Sequence, residues 1–177
     1  MTYNHKKASE DKYPLQVNGK MLQLNSGQMA HLIKKRMRED RAVQKLFEKF
    51  EVDLDQLENL NIEIGDLSGR YAETDIDGTV LDKNLFDGGQ FFSKNYFVCV
   101  HELAHYLSRH KENIAYFNDP EEVLGFVGSV ASLLASGSDL DEIFTLVYPR
   151  ISFHFHNEED SREFMAHCIY KAKELLG

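Results

Sequence analysis

Apolar residues recur with helical spacing in the first third of the chain and again in its second half. Between these stretches they alternate with polar ones. GQMAHLIKKRMRED puts Met29, Leu32, Ile33 and Met37 on one helical face, with Ser26 as the expected N-cap. RAVQKLFEKF continues with Val43, Leu46, Phe47 and Phe50, and Asp53 caps a short third helix, LDQLENL. The period then falls to two. NIEIGDL alternates, and RYAETDI and TVLDKNLF flank Asp77-Gly78, a hairpin turn pair. FDGGQ reads as loop, and a helix capped by Ser93 is expected from about residue 95 to 109. In NDPEEVLGFVGSVASLLASG, Asp119 is the cap, Pro120 takes the first helical position, two acids occupy the first turn and Gly137 follows the last. DLDEIFTLVY predicts a short helix ending before Pro149, and ISFHFH a brief strand. EEDSREFMAHCIYKAKELL predicts a C-terminal helix with Phe164, Met165, Ile169, Ala172, Leu175 and Leu176 toward the core. Residues 1–20 sustain no period and read as a polar arm. Residues 21–177 read as one domain, helical over 21–60, with the sheet and the candidate metal site over 61–177. Helices segregated from a small antiparallel or mixed sheet make the expected class α+β.

Composition narrows the partners. At 177 residues, 42% hydrophobic and 28% charged, the chain is long enough to bury a substantial core. It carries 20 Lys and Arg against 29 Asp and Glu, a formal charge of −9. That balance argues against nucleic acid or an anionic membrane as a partner. No apolar run approaches the length of a membrane span. The opening MTYNHKKASEDKYPLQ has no apolar core of the kind a signal peptide needs. Cys99 and Cys168 have no CxxC partners, so reduced thiols and a cytoplasmic location are expected.

The most specific chemistry lies in YFVCVHELAHYLSRH, which holds His101, Glu102 and His105 as His-Glu-x-x-His. Residues four apart share a helical face, so both imidazoles can point at one metal ion. Glu102 is rotated from His101 by about 100° and stands beside the metal instead of on it. There it can take a proton from a water that zinc has acidified, which is the mechanical sense of the motif. Val98, Cys99, Val100, Leu103, Ala104, Tyr106 and Leu107 are all uncharged, as a buried metal-binding helix requires. The bland alternative is a buried helix whose histidines are only hydrogen-bonded.

A catalytic zinc needs a third protein ligand. The metzincin extension places Gly seven and His ten residues after the first His; those positions are Ser108 and Lys111. His110 is turned about 140° from the face of His105, which suits a surface residue in the last turn. The other plan takes a Glu from the next helix, where Glu121 and Glu122 compete. Glu122 is favoured, because Gly125 lies one turn beyond it and allows close packing, whereas Leu124 holds that position for Glu121. Acids in a first turn can also be mere dipole partners.

HELAH followed by DPEEVLGFV resembles the gluzincin branch of zinc metallopeptidases, and looks like its small intracellular members, the minigluzincins and the ImmA/IrrE-like peptidases. The resemblance covers roughly residues 60–136. It implies a zincin-like fold: a small twisted sheet, an active-site helix and a glutamate-bearing helix. It also implies Zn2+ held by His101, His105 and Glu122, with Glu102 as the catalytic base acting on a peptide or protein substrate. Tyr116, Tyr148, His154 and His156 are candidates for stabilising the oxyanion. An exposed edge strand, RYAETDI or TVLDKNLF, would pair with an extended substrate. A binding or structural module that keeps the metal site without hydrolysis is the alternative from another class.

Overall fold

The computed structural model describes residues 11–110 and 121–177. Among them the helical periods become α1 (Ser26–Glu39), α2 (Arg41–Phe50), α3 (Phe91–Lys94), α4 (Phe97–His110), α5 (Glu121–Ala135), α6 (Leu140–Ser152) and α7 (Glu158–Leu176). The strands are β1 (Tyr13–Val17), β2 (Lys20–Leu24), β3 (Asn61–Gly65), β4 (Ala72–Thr74) and β5 (Gly78–Asp82). Short 3-10 segments cover Leu54–Asn59 and Lys83–Gly89. The class is α+β.

Local chemistry explains most boundaries, with some shifts from expectation. The cap of α1 is Asn25, one residue before Ser26. Its side chain accepts from the Gln28 N–H at 2.8 Å while the Gln28 side chain accepts from the Asn25 N–H at 3.0 Å, a reciprocal capping box. Ser93 does not cap the helix that carries the histidines. It lies inside α3, and α4 starts at Phe97. Asp139 caps α6, and Asn157 caps α7 by accepting from the Asp160 N–H. The buried residues of α7 are Ser161, Met165, Cys168 and Ala172, with Phe164, Ile169, Leu175 and Leu176 half-buried around them.

Three segments depart further. Tyr13–Leu24, two-thirds of which falls in the expected arm, is an antiparallel hairpin in which Val17 pairs with Lys20. Asn18 and Gly19 have φ of 49° and 75°, the left-handed pair that a two-residue hairpin needs. Tyr13 and Leu15 turn inward, and the Tyr13 ring meets Phe86 at 5.5 Å. The second departure is Pro149, which lies inside α6 and does not end it. Proline removes one main-chain hydrogen bond. The helix nevertheless continues, because Ile143, Val147 and Ile151 form a fully buried stripe at four-residue spacing. ISFHFH is therefore not a strand: Ile151 and Ser152 finish α6, and Phe153 is left 87% exposed. The third concerns Gly78: the expected hairpin forms, with β4 antiparallel to β5, but Gly78 is the first residue of β5 and its φ is not positive. Its role is close approach, since a Cβ there would lie 2.1 Å from the Asn61 carbonyl oxygen of β3.

The larger sheet has the order β3-β5-β4, with β5 parallel to β3 and antiparallel to β4. TVLDKNLF thus supplies the central strand and RYAETDI an edge. The sheet is mixed because β4 is inserted in sequence between the two parallel strands. Helices α4 and α5 form the most extensive helix pair, and α7 packs on α5. Val100, Leu103, Ala104, Val130 and Ala131 are fully buried in their vicinity. Among the described residues, no helix is long and apolar enough to cross a membrane.

Candidate metal centre

His101 and His105 stand one turn apart on α4, and their Nε2 atoms are 3.0 Å apart. Glu122, in the first turn of α5, faces both. Its Oε2 is 3.5 Å from His101 Nε2 and its Oε1 is 3.4 Å from His105 Nε2. A tetrahedral zinc with bonds of about 2.0–2.1 Å sets neighbouring ligand atoms about 3.3 Å apart. The three observed separations bracket that value. Two imidazole lone pairs aimed at each other repel unless a proton or cation lies between them. Two imidazoles and a carboxylate converging on one point are a donor set suited to a divalent metal such as zinc.

The surroundings tune this trio. A hydrogen bond from His101 is the main cause holding the Glu122 carboxyl down at about 2. The electrostatic influence of His101, His105 and His154 acts in the same direction, and partial desolvation opposes it. Glu122 is therefore anionic at neutral pH. Gly125 makes room for His101: a Cβ there would lie 2.6 Å from the imidazole Cε1 and 2.7 Å from Nε2. Phe126 meets the His101 ring edge-on, with centroids 4.7 Å apart. His105 is buried and His101 nearly so, whereas Glu122 is more than half exposed.

Glu102 points elsewhere on α4, toward the sheet. The Thr74 hydroxyl, at the end of edge strand β4, donates to Glu102 Oε2. Thr74 also contacts the Thr79 hydroxyl of β5 at 3.0 Å. The Arg109 guanidinium, from the last turn of α4, donates to the Thr74 carbonyl and ties the same strand end to the helix. Both the His101–Glu122 pair and Glu102 open on a cavity of about 390 Å³. Tyr71 and Ala72 line it from the β4 side, Phe97 and Phe126 from the helices, and Pro149, Arg150, Phe153 and His154 from the end of α6.

The structure thus brings together His101, His105 and Glu122, with Glu102 on the same cavity. The Glu121 side chain and all of Asp119, Pro120 and Tyr116 lie outside the described residues. Of the other candidates, only His154 reaches the cavity lining. Tyr148 is engaged with Ser161 at 3.0 Å and stacked on Phe144. His156 is not among the lining residues, and the strand that would have set it beside His154 is not formed. Sequence reasoning missed Thr74, Tyr71 and Arg150. Each lies far along the chain from the residues it serves, and no short-range spacing marks it. No protein-family model, curated protein or solved structure matches this chain.

Proposed function

We propose that the protein is a zinc-dependent metallopeptidase built on a zincin-like fold, with His101, His105 and Glu122 as the metal ligands and Glu102 as the general base. The observation that carries this reading is the convergence of two imidazoles and a carboxylate at zinc-like separations, beside a fourth side chain able to move a proton. Bound zinc would supply Lewis acidity, polarising a carbonyl and acidifying a water. The work of the chain's own residues is separate from that. Glu102 Oε2 is occupied by the Thr74 hydroxyl, so Oε1 is the atom left to accept a proton from water and return it to the leaving amine. The His154 imidazole lines the same cavity and is the group suited to donate to an oxyanion. Strand β4 is an edge strand beside the cavity and offers main-chain pairing to an extended peptide. Central β5 does not.

Metal analysis and peptide hydrolysis test the proposal together. Purified protein should hold one zinc per chain, and the His101→Ala, His105→Ala double variant should lose it. Glu102→Gln keeps the shape of the side chain but cannot take the proton. It should retain zinc and fold while turnover of a peptide mixture falls by roughly 10²–10⁴. Full zinc occupancy in the double variant would remove the site. Zinc held by a wild-type protein that cleaves no peptide would favour the non-catalytic module.

A further inference from the structure

Arg150 is the feature of the cavity that the proton and metal chemistry does not use. It projects from the last turn of α6, next to Pro149, and lines the same cavity as His101, Glu102 and Glu122. Its guanidinium carbon lies 3.8 Å from the Tyr71 ring centroid and 4.9 Å from that of Phe97. Among the described residues no carboxylate lies within ion-pair distance of it. Arg70, also on the cavity wall, differs in this respect, being paired with Glu73.

An unpaired guanidinium largely withdrawn from water is costly, and two aromatic rings offset only part of that cost. The desolvation acts in the same sense on its acidity, lowering the pKa from the ordinary arginine value. Aromatic contact engages the π face of a guanidinium. The N–H donors lie in its plane, at the edges, and form the fork that fits a carboxylate with two parallel hydrogen bonds. The cavity thus holds a preorganised cation, braced by Tyr71 and Phe97, whose donors have no acceptor within the described chain.

We propose that Arg150 anchors a carboxylate of the peptide substrate, and so selects substrates that carry an anionic group near the bond presented to the metal centre. This rests on the peptidase reading above. The carboxylate could be the free C-terminus of the peptide or an Asp or Glu side chain. Both offer the same planar pair of oxygens, and both would be recognised by the same fork.

Binding, and not turnover, provides the test. The full chain carrying Glu102→Gln would be titrated by calorimetry with four short peptides of one apolar sequence: the free acid, its C-terminal amide, the amide with one internal Glu, and that amide with Gln in its place. Tighter binding of the free acid than of the amide, by roughly tenfold or more, assigns the C-terminus. The same preference for Glu over Gln assigns an acidic side chain. Either preference should vanish in Arg150→Gln and be partly kept in Arg150→Lys, which retains charge but lacks the fork. The comparison among peptides on the Arg150-containing protein stands even if a substituted chain fails to fold. Equal affinities, or binding by none of the four at millimolar concentration, overturn the proposal, as does a carboxylate preference that survives in folded Arg150→Gln. Zinc content is measured on the same samples. A carboxylate preference that depends on Arg150 in a protein without zinc would discard the metallopeptidase reading and leave the anion site standing.

Discussion

Thr74 and Thr79 each own a single hydroxyl proton. Thr74 gives its proton to Glu102, so in their mutual contact at 3.0 Å Thr79 must be the donor. The result is a directed chain from β5 through β4 to the proposed base, and it leaves the second carboxylate oxygen of Glu102 as the proton acceptor. Thr74 is a positioning residue in this arrangement, since it acts through Glu102. Thr74→Val removes the donor and keeps the β-branched shape. It should lower kcat by roughly tenfold, as loss of one hydrogen bond to a charged group implies, with KM and zinc content unchanged. Thr74→Ser should restore most of the rate. Steady-state kinetics on the three proteins checks this, and an unchanged kcat in Thr74→Val would leave Thr74 with a structural role only.

At the scale of elements, the pairing of α4 with α5 decides whether the trio can form. Helix α4 brings two histidines by its own periodicity, but Glu122 reaches them only because α5 packs close, and Gly125 is what permits that closeness. The Gly125→Ala methyl would enter the space of the His101 ring, at 2.6 Å from Cε1. The ring must then turn away. Because helix propensity favours Ala over Gly, α5 itself should persist. Zinc affinity should fall by roughly ten- to a hundredfold while the circular dichroism spectrum stays that of the wild type. A competition titration against a chromophoric chelator reads the first quantity. Unchanged affinity would mean that His101 does not hold the metal in the orientation described. Element reasoning from sequence served well for α4, α5 and α7, whose apolar residues recur at helical spacing over several turns. It failed at ISFHFH, where the apolar alternation is short and Ile151 belongs equally to a helical stripe with Ile143 and Val147. Packing of that stripe settled the ambiguity, and it outweighed the proline.

The whole molecule is tied together at Asp40, a buried carboxylate between α1 and α2. Its Oδ1 accepts from the Ala42 N–H and caps α2. Its Oδ2 accepts from the Tyr96 hydroxyl at 3.1 Å and the Ser132 hydroxyl at 2.5 Å. One side chain thereby joins the N-terminal helices to the residue preceding α4 and to the last turn of α5, the two helices that carry the proposed ligands. Asp40→Ala would lose the cap and strand two buried hydroxyls, for a loss of about 3 kcal/mol of stability. The midpoint of urea unfolding, compared with wild type in the presence of chelator, measures it. A shift within experimental scatter would show that water replaces the carboxylate.

What the sequence determined by itself is local. The i, i+4 histidines on one helical face, the glutamate rotated off that face, Asp53 as the cap of the 3-10 segment Leu54–Asn59, and the glycine one turn beyond Glu122 all follow from the 3.6-residue period and from the chemistry of helix ends. These facts concern one element at a time, and a single element carries its own geometry. Tertiary structure alone decided the rest. It placed β5 in the centre and β4 at the edge, so Thr74 came to meet Glu102. It docked the hairpin of residues 13–24, whose Asn18-Gly19 turn is itself a local signal, against Phe86 in the core. It carried Arg150 to Tyr71 and Phe97. None of these has a periodic signature, because each joins residues that are distant along the chain through the packing of many side chains at once. A pair of elements can bury comparable apolar area in several arrangements, and the choice among them belongs to the sum of all contacts in the core, not to any one segment.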